Sequence, residues 1–280
     1  MRSGHITTND GVRLHYVEAG SGPDLLLVSG WTLTAEVWRH QIEEFSQTHH
    51  VVAYDHRGHG LSDSPSYGYR ISRFAADARQ IIEALQLTNV TLVGHSMGCG
   101  VAWAYWDLYG GERLARLVLI DEPPALMYQS DWTPEMISEI GSVHSAATLA
   151  EVISALRGPD AQAVAAGVLD IMCSSSMPEN DRELIYEQMM LMDREAASIL
   201  MFDNVTQDWR DILRLITIPT LVIGGESSLF SARWVDNLGA SISGSTIVVI
   251  SAADRGSHLS FFEKPSVVNS AIRDFLAAHE

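Results

Sequence analysis

The chain has 280 residues, of which 46% are hydrophobic and 19% are charged, as in a globular protein with a substantial core. Its formal net charge of −17 argues against nucleic acids and anionic membranes as partners, because both require a basic face. Nothing at the N-terminus has the apolar core of a signal peptide and no window approaches a membrane span, so a cytoplasmic location is expected.

The first part of the chain alternates strand-like and helix-like patterns. A hairpin is predicted where residues 5–8 and 12–18 flank the turn residues "NDG". Buried strands are predicted from the apolar runs at 24–30, 51–55, 90–94 and 114–121. Helices are predicted between these runs from apolar residues that share one face, at 37–45, 74–85 and 97–109.

The alternation stops after the sixth strand. From about Pro123 to about Leu215 the patterns are helical only, strands resume at 218–225 and 245–251, and a helix begins near Lys264. Strands that alternate with helices imply a mostly parallel central sheet flanked by helices. The sequence therefore predicts an α/β core (1–122 and 216–280) with a helical cap (123–215) inserted after strand 6.

One turn between a strand and a helix is crowded with glycines around a serine. In "LVGHSMGCG" the apolar run ends at Gly94, Ser96 follows, and Gly98 precedes a helical pattern. A tight turn leaves no room for side chains two residues before and after the serine. The helix that follows aims its N-terminal N–H groups at the same point, where an oxyanion would develop.

These residues, with others along nearly the whole chain, resemble the α/β-hydrolase superfamily, in its serine-nucleophile branch of esterases, lactonases and haloperoxidases. The matching stretches are "SGWT" (29–32), "DHRGHGLSD" (55–63), "GHSMG" (94–98) and "SHLSFFEKP" (257–265). The resemblance implies that Ser96 is the nucleophile and His258 its general base. It also implies an oxyanion hole formed by the backbone N–H groups of Trp31 and Met97. Ser29 stands where the family usually has histidine, a change expected to affect support of the loop more than the chemistry.

The acid of the triad departs from the family habit. The family usually has an aspartate three residues after the glycine that ends the seventh strand, and here that position is Ser228. Some branches take the acid from the end of the sixth strand instead, which here reads "LIDEPP". We rank Asp121 first, then Glu122, then Glu226, and expect Glu122 to point away from His258 if strand alternation continues.

The cap is expected to supply the pocket wall. Trp132 or Tyr128, which follow the acidic strand end, are candidates to lie over the pocket, although such residues more often anchor a cap. The histidines lack the spacing of a metal site, and neither a metal nor a cofactor is expected.

The function predicted from these residues is hydrolysis of a small to medium hydrophobic carboxylic ester or lactone through an acyl-Ser96 intermediate. Two alternatives stay open. One is other chemistry on the same fold, such as carbon–carbon bond hydrolysis, hydroxynitrile cleavage or cofactor-free peroxidation. The other is a non-catalytic ligand receptor, since fold does not fix function. The expected partner is the small-molecule substrate alone, and a homodimer stays open.

Overall fold

The structure, a computed structural model, describes residues 1–231 and 233–279. Its centre is an eight-stranded sheet with the strand order β1-β2-β4-β3-β5-β6-β7-β8. The strands are β1 Arg2–Thr7, β2 Arg13–Ala19, β3 Asp24–Val28, β4 His50–Tyr54, β5 Val90–His95, β6 Leu114–Ile120, β7 Thr220–Gly225 and β8 Thr246–Ile250.

The pairing of the strands separates an antiparallel edge from a parallel centre. β1 pairs with β2 and β2 with β4 in antiparallel register, whereas every pair from β4 to β8 is parallel. Strands β5 and β7 are buried along their whole length, which explains why they read as continuous apolar runs. The α/β-hydrolase fold class predicted from the sequence is confirmed.

Twelve α-helices are present in the described part of the chain. They are α1 Arg39–Phe45, α2 Ile71–Ala84, α3 Met97–Tyr109, α4 Pro134–Ile140, α5 Ala146–Arg157, α6 Ala161–Met172, α7 Glu179–Met190, α8 Arg194–Val205, α9 Arg210–Leu213, α10 Arg233–Ser241, α11 Ser260–Glu263 and α12 Pro265–Ala278. Helix α2 packs on α3, and α1 packs on α12, so that helices flank the sheet. None of these helices is long and apolar enough to cross a membrane.

Helices α4 to α9 lie between β6 and β7, in the segment for which the sequence predicts only helices. The two ends of this segment meet beside the sheet. Ala125 forms an isolated antiparallel bridge with Asp208, and the Trp209 N–H donates to the Pro124 carbonyl at 2.8 Å. The helical insertion therefore leaves and rejoins the sheet at nearly the same place.

Candidate active site

Ser96 occupies a sharp turn between β5 and α3. Its backbone angles are φ 52° and ψ −127°, a conformation that a non-glycine residue adopts only under constraint. A Cβ on Gly94 would lie 2.6 Å from the Gly98 carbonyl oxygen, and one on Gly98 would lie 2.2 Å from the Val28 carbonyl oxygen. Both glycines are therefore required by close backbone approach, and the turn projects Ser96 beyond the carboxyl end of the strand.

His258 lies in the loop between β8 and α11, and its side chain is buried. Its Nδ1 is 2.7 Å from Oδ2 of Asp121, the residue directly after β6. A carboxylate at this distance fixes the imidazole tautomer with the proton on Nδ1, which leaves Nε2 free to act as a base. The arrangement brings Ser96, His258 and Asp121 together at the carboxyl ends of the strands, where open α/β sheets bind their ligands.

Asp121 is held by β7 as well as by His258. Its Oδ1 accepts the Gly225 N–H at 3.2 Å, and its Oδ2 accepts the hydroxyl of Ser228. Ser228 thus stands at the position where the family usually has its acid, and it hydrogen-bonds Asp121. Glu226 is exposed and its Oε2 accepts the Ala252 N–H at 2.8 Å, away from His258.

The backbone N–H groups of Trp31 and Met97 are available to a ligand. Neither N–H donates to another group among residues 1–231 and 233–279. Ser29 supports the loop before Trp31, because its hydroxyl donates to the Thr34 carbonyl at 3.0 Å and accepts the Trp38 indole N–H at 3.0 Å. The serine found in place of the family's histidine therefore stabilises the loop.

The Trp31 side chain links this loop to the helical insertion. Its indole N–H donates to the Ala197 carbonyl of α8 at 2.8 Å. A Cβ added to Gly30 would lie 3.0 Å from Ser96 Cβ, which shows how closely the loop approaches the nucleophile. The loop that carries Trp31 is consequently held against both the helical insertion and the serine turn.

His95 precedes the nucleophile and has a structural position. It is fully buried, and its Nε2 is 2.9 Å from the His258 carbonyl oxygen. Burial lowers the pKa of His95 well below its usual value, and the neighbouring His258 adds to this effect. A neutral His95 that donates from Nε2 supports the backbone of His258.

Glu122 faces the nucleophile, a position that the sequence did not predict. It is 3% exposed, its Oε2 lies 3.4 Å from Ser96 Oγ, and its Oε1 accepts the Asn204 side-chain N–H at 3.3 Å. Burial raises the pKa of Glu122 to about 8, and the nearby Asp121 adds to the shift. In this arrangement the Ser96 hydroxyl donates to Glu122, and no hydrogen bond joins it to His258 within the described residues.

A cavity of about 170 Å³ opens above the nucleophile. Its wall is largely apolar and combines residues of the loops around the sheet with residues of the helical insertion. The apolar side chains are those of Trp31, Leu33, Leu126, Val143, Val152, Val168, Ile171, Met172, Met201, Val205, Leu229 and Phe230. The polar side chains are those of Ser96, Glu122, His144, Asn204 and His258.

Tyr128 and Trp132, the candidates to lie over the pocket, are not among the residues that line this cavity. The Arg210 guanidinium lies over the ring of Trp132, 4.6 Å from its centroid, and Trp132 is partly buried. The Tyr128 N–H donates to the His144 carbonyl at 2.9 Å, so this segment is fixed by backbone pairing. Both residues contact other residues of the insertion.

No group of three or more histidine, cysteine, aspartate or glutamate side chains suited to hold a metal ion occurs within residues 1–231 and 233–279. The two thiols are unpaired: Cys99 is buried and Cys173 is partly buried. The Cys99 Sγ lies 3.3 Å from the Gly94 carbonyl oxygen, and burial raises the pKa of its thiol well above the usual value. It packs under the serine turn as a structural residue.

Comparisons with known proteins agree with this architecture. A family model described as the alpha/beta hydrolase fold matches residues 23–265. A non-heme haloperoxidase of Rhodococcus erythropolis is 37% identical over 131 residues, 46% of this chain and 48% of that protein. A bifunctional esterase/perhydrolase of Acinetobacter calcoaceticus is 33% identical over 135 residues, 47% of this chain and 49% of that protein. The chain spans about half the length of these curated relatives.

Among solved structures, a bromoperoxidase from Bacillus anthracis superposes with a TM-score of 0.90 and 25% sequence identity. The superposition covers 99% of this chain and 100% of that chain. The family model and this superposition therefore both extend over most of the chain. This protein belongs to the α/β-hydrolase fold family.

Proposed function

We propose that this protein is a serine hydrolase that cleaves a carboxylic ester or lactone through an acyl-Ser96 intermediate. The observation that carries the proposal is the 2.7 Å contact between Asp121 Oδ2 and His258 Nδ1, buried beside the Ser96 turn. A buried aspartate in this position orients the imidazole and stabilises the imidazolium that forms when the base takes a proton. An α/β-hydrolase fold that holds a serine, a histidine and an aspartate in this way is suited to acyl transfer.

In the acylation step, Ser96 Oγ attacks the substrate carbonyl carbon while His258 Nε2 takes the hydroxyl proton. The Ser96 hydroxyl must first turn from Glu122 toward His258, and such catalytic hydrogen bonds often form fully only with substrate bound. The negative charge on the carbonyl oxygen is received by the N–H groups of Trp31 and Met97. His258 then protonates the leaving alkoxide, and the acyl group stays on Ser96.

In the deacylation step, His258 takes a proton from water, and the resulting hydroxide attacks the acyl carbon. Collapse of the second oxyanion returns the proton to Ser96 Oγ and releases the carboxylic acid. A lactone would follow the same steps with its own ring oxygen as the leaving group.

The substrate that fits best is small and mainly apolar, because the cavity is small and its wall is largely apolar. Residues 123–215 are proposed to act as a cap, since Val152, Val168 and Met201 of this segment form part of the wall. The core would then comprise 1–122 and 216–280.

A second candidate is perhydrolysis, favoured by the haloperoxidase and perhydrolase names of the relatives. Here hydrogen peroxide replaces water as the nucleophile that attacks acyl-Ser96. One oxygen of the peroxide bonds to the acyl carbon, the Ser96–acyl bond breaks, and a peroxycarboxylic acid leaves. This reaction uses the same acyl-enzyme and needs no metal.

The proposal is tested with 4-nitrophenyl butyrate and the variant Ser96→Ala. We expect wild-type protein to release a burst of nitrophenol equal to the enzyme concentration when the acyl-enzyme accumulates, and Ser96→Ala to release none. Mass spectrometry of the quenched reaction should place the added butyryl mass on the peptide that contains Ser96. Turnover by folded Ser96→Ala at the wild-type rate would refute the serine mechanism.

A further inference from the structure

The cavity contains three hydrogen-bonding side chains that the triad does not use, Glu122, Asn204 and His144, and the first two are hydrogen-bonded to each other. Glu122 and Asn204, called here the polar corner, both line the cavity and are bonded to each other through Asn204 Nδ2 and Glu122 Oε1 at 3.3 Å. Glu122 Oε2 lies 3.4 Å from Ser96 Oγ, so the corner adjoins the atom to which the acyl group would be attached. Hydrogen bonds thus connect Asn204 to Glu122 and Glu122 to Ser96.

The surroundings of the polar corner favour a neutral ligand. The cavity wall includes no lysine or arginine among the residues that the structure describes. Burial raises the pKa of Glu122 to about 8, so that its carboxyl group keeps a proton near neutral pH. A protonated carboxyl group both donates and accepts a hydrogen bond, and the Asn204 amide also has both capacities.

Acylation of Ser96 removes one partner from the polar corner. In the free protein the Ser96 hydroxyl donates to Glu122 Oε2. Once Ser96 Oγ carries an acyl group it has no proton to donate, and an ester oxygen is a weaker acceptor than a hydroxyl. Glu122 would then be a buried polar group without this partner, which is unfavourable unless the acyl chain supplies a replacement.

We propose that Glu122 and Asn204 form a subsite for an uncharged hydroxyl group on the acyl chain, one or two carbons from the scissile carbonyl. The preferred substrates are then esters or lactones of hydroxy acids with a short apolar chain. This inference rests on the proposed hydrolase function, because the subsite is located by acyl-Ser96.

The subsite selects a hydroxyl group over a carboxylate. A hydroxyl can donate to Glu122 and accept from it or from Asn204, so both members of the corner are paired. A carboxylate would enter beside the buried Asp121 carboxylate without a cation to balance it. Monoesters of dicarboxylic acids are therefore expected to be poor substrates.

The experiment compares 4-nitrophenyl esters of butyric, 2-hydroxybutyric, 3-hydroxybutyric and succinic acids at pH 7. Each kcat/KM is divided by the rate constant for hydroxide-catalysed hydrolysis of the same ester, which removes the intrinsic effect of the substituent. The readout is the ratio of a hydroxy ester to butyrate. We expect a ratio of roughly 5 to 10 for at least one hydroxy ester in wild-type protein, as one additional hydrogen bond provides. The succinate monoester should fall below butyrate.

Three variants assign the ratio to the polar corner. Glu122→Leu should bring the hydroxy-to-butyrate ratio to about one, whereas Glu122→Gln, which keeps a donor and an acceptor, should retain a ratio above one. Glu226→Gln is the matched control, because this exposed carboxylate bonds to Ala252 and should leave the wild-type ratio unchanged. A wild-type ratio of one or less for both hydroxy esters, or an undiminished ratio in folded Glu122→Leu, overturns the subsite.

Failure of the hydrolase function is distinguished by Ser96→Ala. If butyrate hydrolysis does not depend on Ser96, the proposed function fails, and binding of butyramide, 2-hydroxybutyramide and 3-hydroxybutyramide, which have no ester bond to cleave, is then measured by titration calorimetry. Tighter binding of a hydroxy amide than of butyramide supports the polar corner independently of turnover. Equal binding of the two overturns it.

Discussion

The hydroxyl of Ser228 donates a hydrogen bond to Asp121 Oδ2, the same carboxylate oxygen that faces His258 Nδ1. The family usually has its acid at the position of Ser228, whereas here Asp121 follows β6 and Ser228, from the loop after β7, contacts it. The segments that follow β6 and β7 therefore meet at one carboxylate oxygen, and Asp121 alone brings a carboxylate to His258. This geometry explains how a chain without the usual aspartate can still orient its histidine.

The first prediction concerns Asp121. Asp121→Asn should lower kcat for 4-nitrophenyl butyrate by about 10³ to 10⁴, because the amide favours the wrong imidazole tautomer and cannot stabilise the imidazolium. The unfolding midpoint should change far less, since asparagine keeps one acceptor for the Gly225 N–H. Glu226→Gln serves as the control and should cost little, as expected for an exposed carboxylate. Equal losses in the two variants would contradict the assignment of the acid.

The second prediction moves the acid back to the usual position. In the double variant Asp121→Asn with Ser228→Asp, a carboxylate enters from the β7 loop at the site of a hydroxyl that already reaches residue 121. We expect the double variant to have a kcat at least about tenfold higher than that of Asp121→Asn, because both positions act on the same imidazole. The matched control is Asp121→Asn with Ser227→Asp, one residue earlier in an exposed position, which should recover nothing. Similar activities in both double variants would show that the loop does not direct residue 228 to His258.

The fold and much of the site could be predicted from the sequence because local patterns encode them. The apolar runs predicted the strands, and the glycines around Ser96 predicted a tight turn. The structure explains these glycines, because a Cβ added at Gly94 or Gly98 would lie only 2.6 or 2.2 Å from a backbone carbonyl oxygen. Glu122 could not be placed in this way. Asp121 has a left-handed φ of 53°, which ends the alternation of β6 and turns the next side chain toward Ser96. The pattern of a strand cannot predict orientation past such a residue.

Trp132 could not be placed because the signal was compositional. Large aromatic residues after an acidic strand end are compatible with a pocket wall and with an anchor. In the structure the Trp132 indole ring packs against the guanidinium of Arg210, which lies 78 positions later in the chain. Long-range contacts of this kind leave no periodic trace in the sequence.

The third prediction tests the serine turn. Gly98→Ala should lower the free energy of unfolding by at least about 2 kcal/mol, because the new methyl group overlaps the Val28 carbonyl oxygen and overpacked sites are costly. Gly167→Ala is the matched control: this exposed residue of α6 has open space around its Cβ position, so alanine should stabilise by about 0.5–1 kcal/mol. Chemical denaturation of both variants measures the difference. A stable Gly98→Ala variant would refute the close approach of β3 and α3.

The last prediction concerns the dependence of stability on pH. Burial raises the pKa of Glu122 from its ordinary value of 4.5 to about 8. Between these two values the folded protein keeps the proton while the unfolded chain has lost it, so the folded state binds more protons. The free energy of unfolding must then fall as pH rises through this window, by up to about 1.4 kcal/mol per pH unit from this group.

Glu122→Gln removes this titration while keeping the size of the side chain and its bond with Asn204. The difference in unfolding free energy, variant minus wild type, should therefore grow in favour of the variant from pH 5 to about pH 8 and then level off. Urea denaturation at unit pH intervals measures it, and the other titrating groups cancel in the difference when they are unaffected by the change. Glu226→Gln, which alters an exposed carboxylate, should show no comparable growth. Parallel stability curves for wild type and Glu122→Gln across this range would mean that Glu122 is ionised in the folded protein, and the neutral polar corner would have to be abandoned.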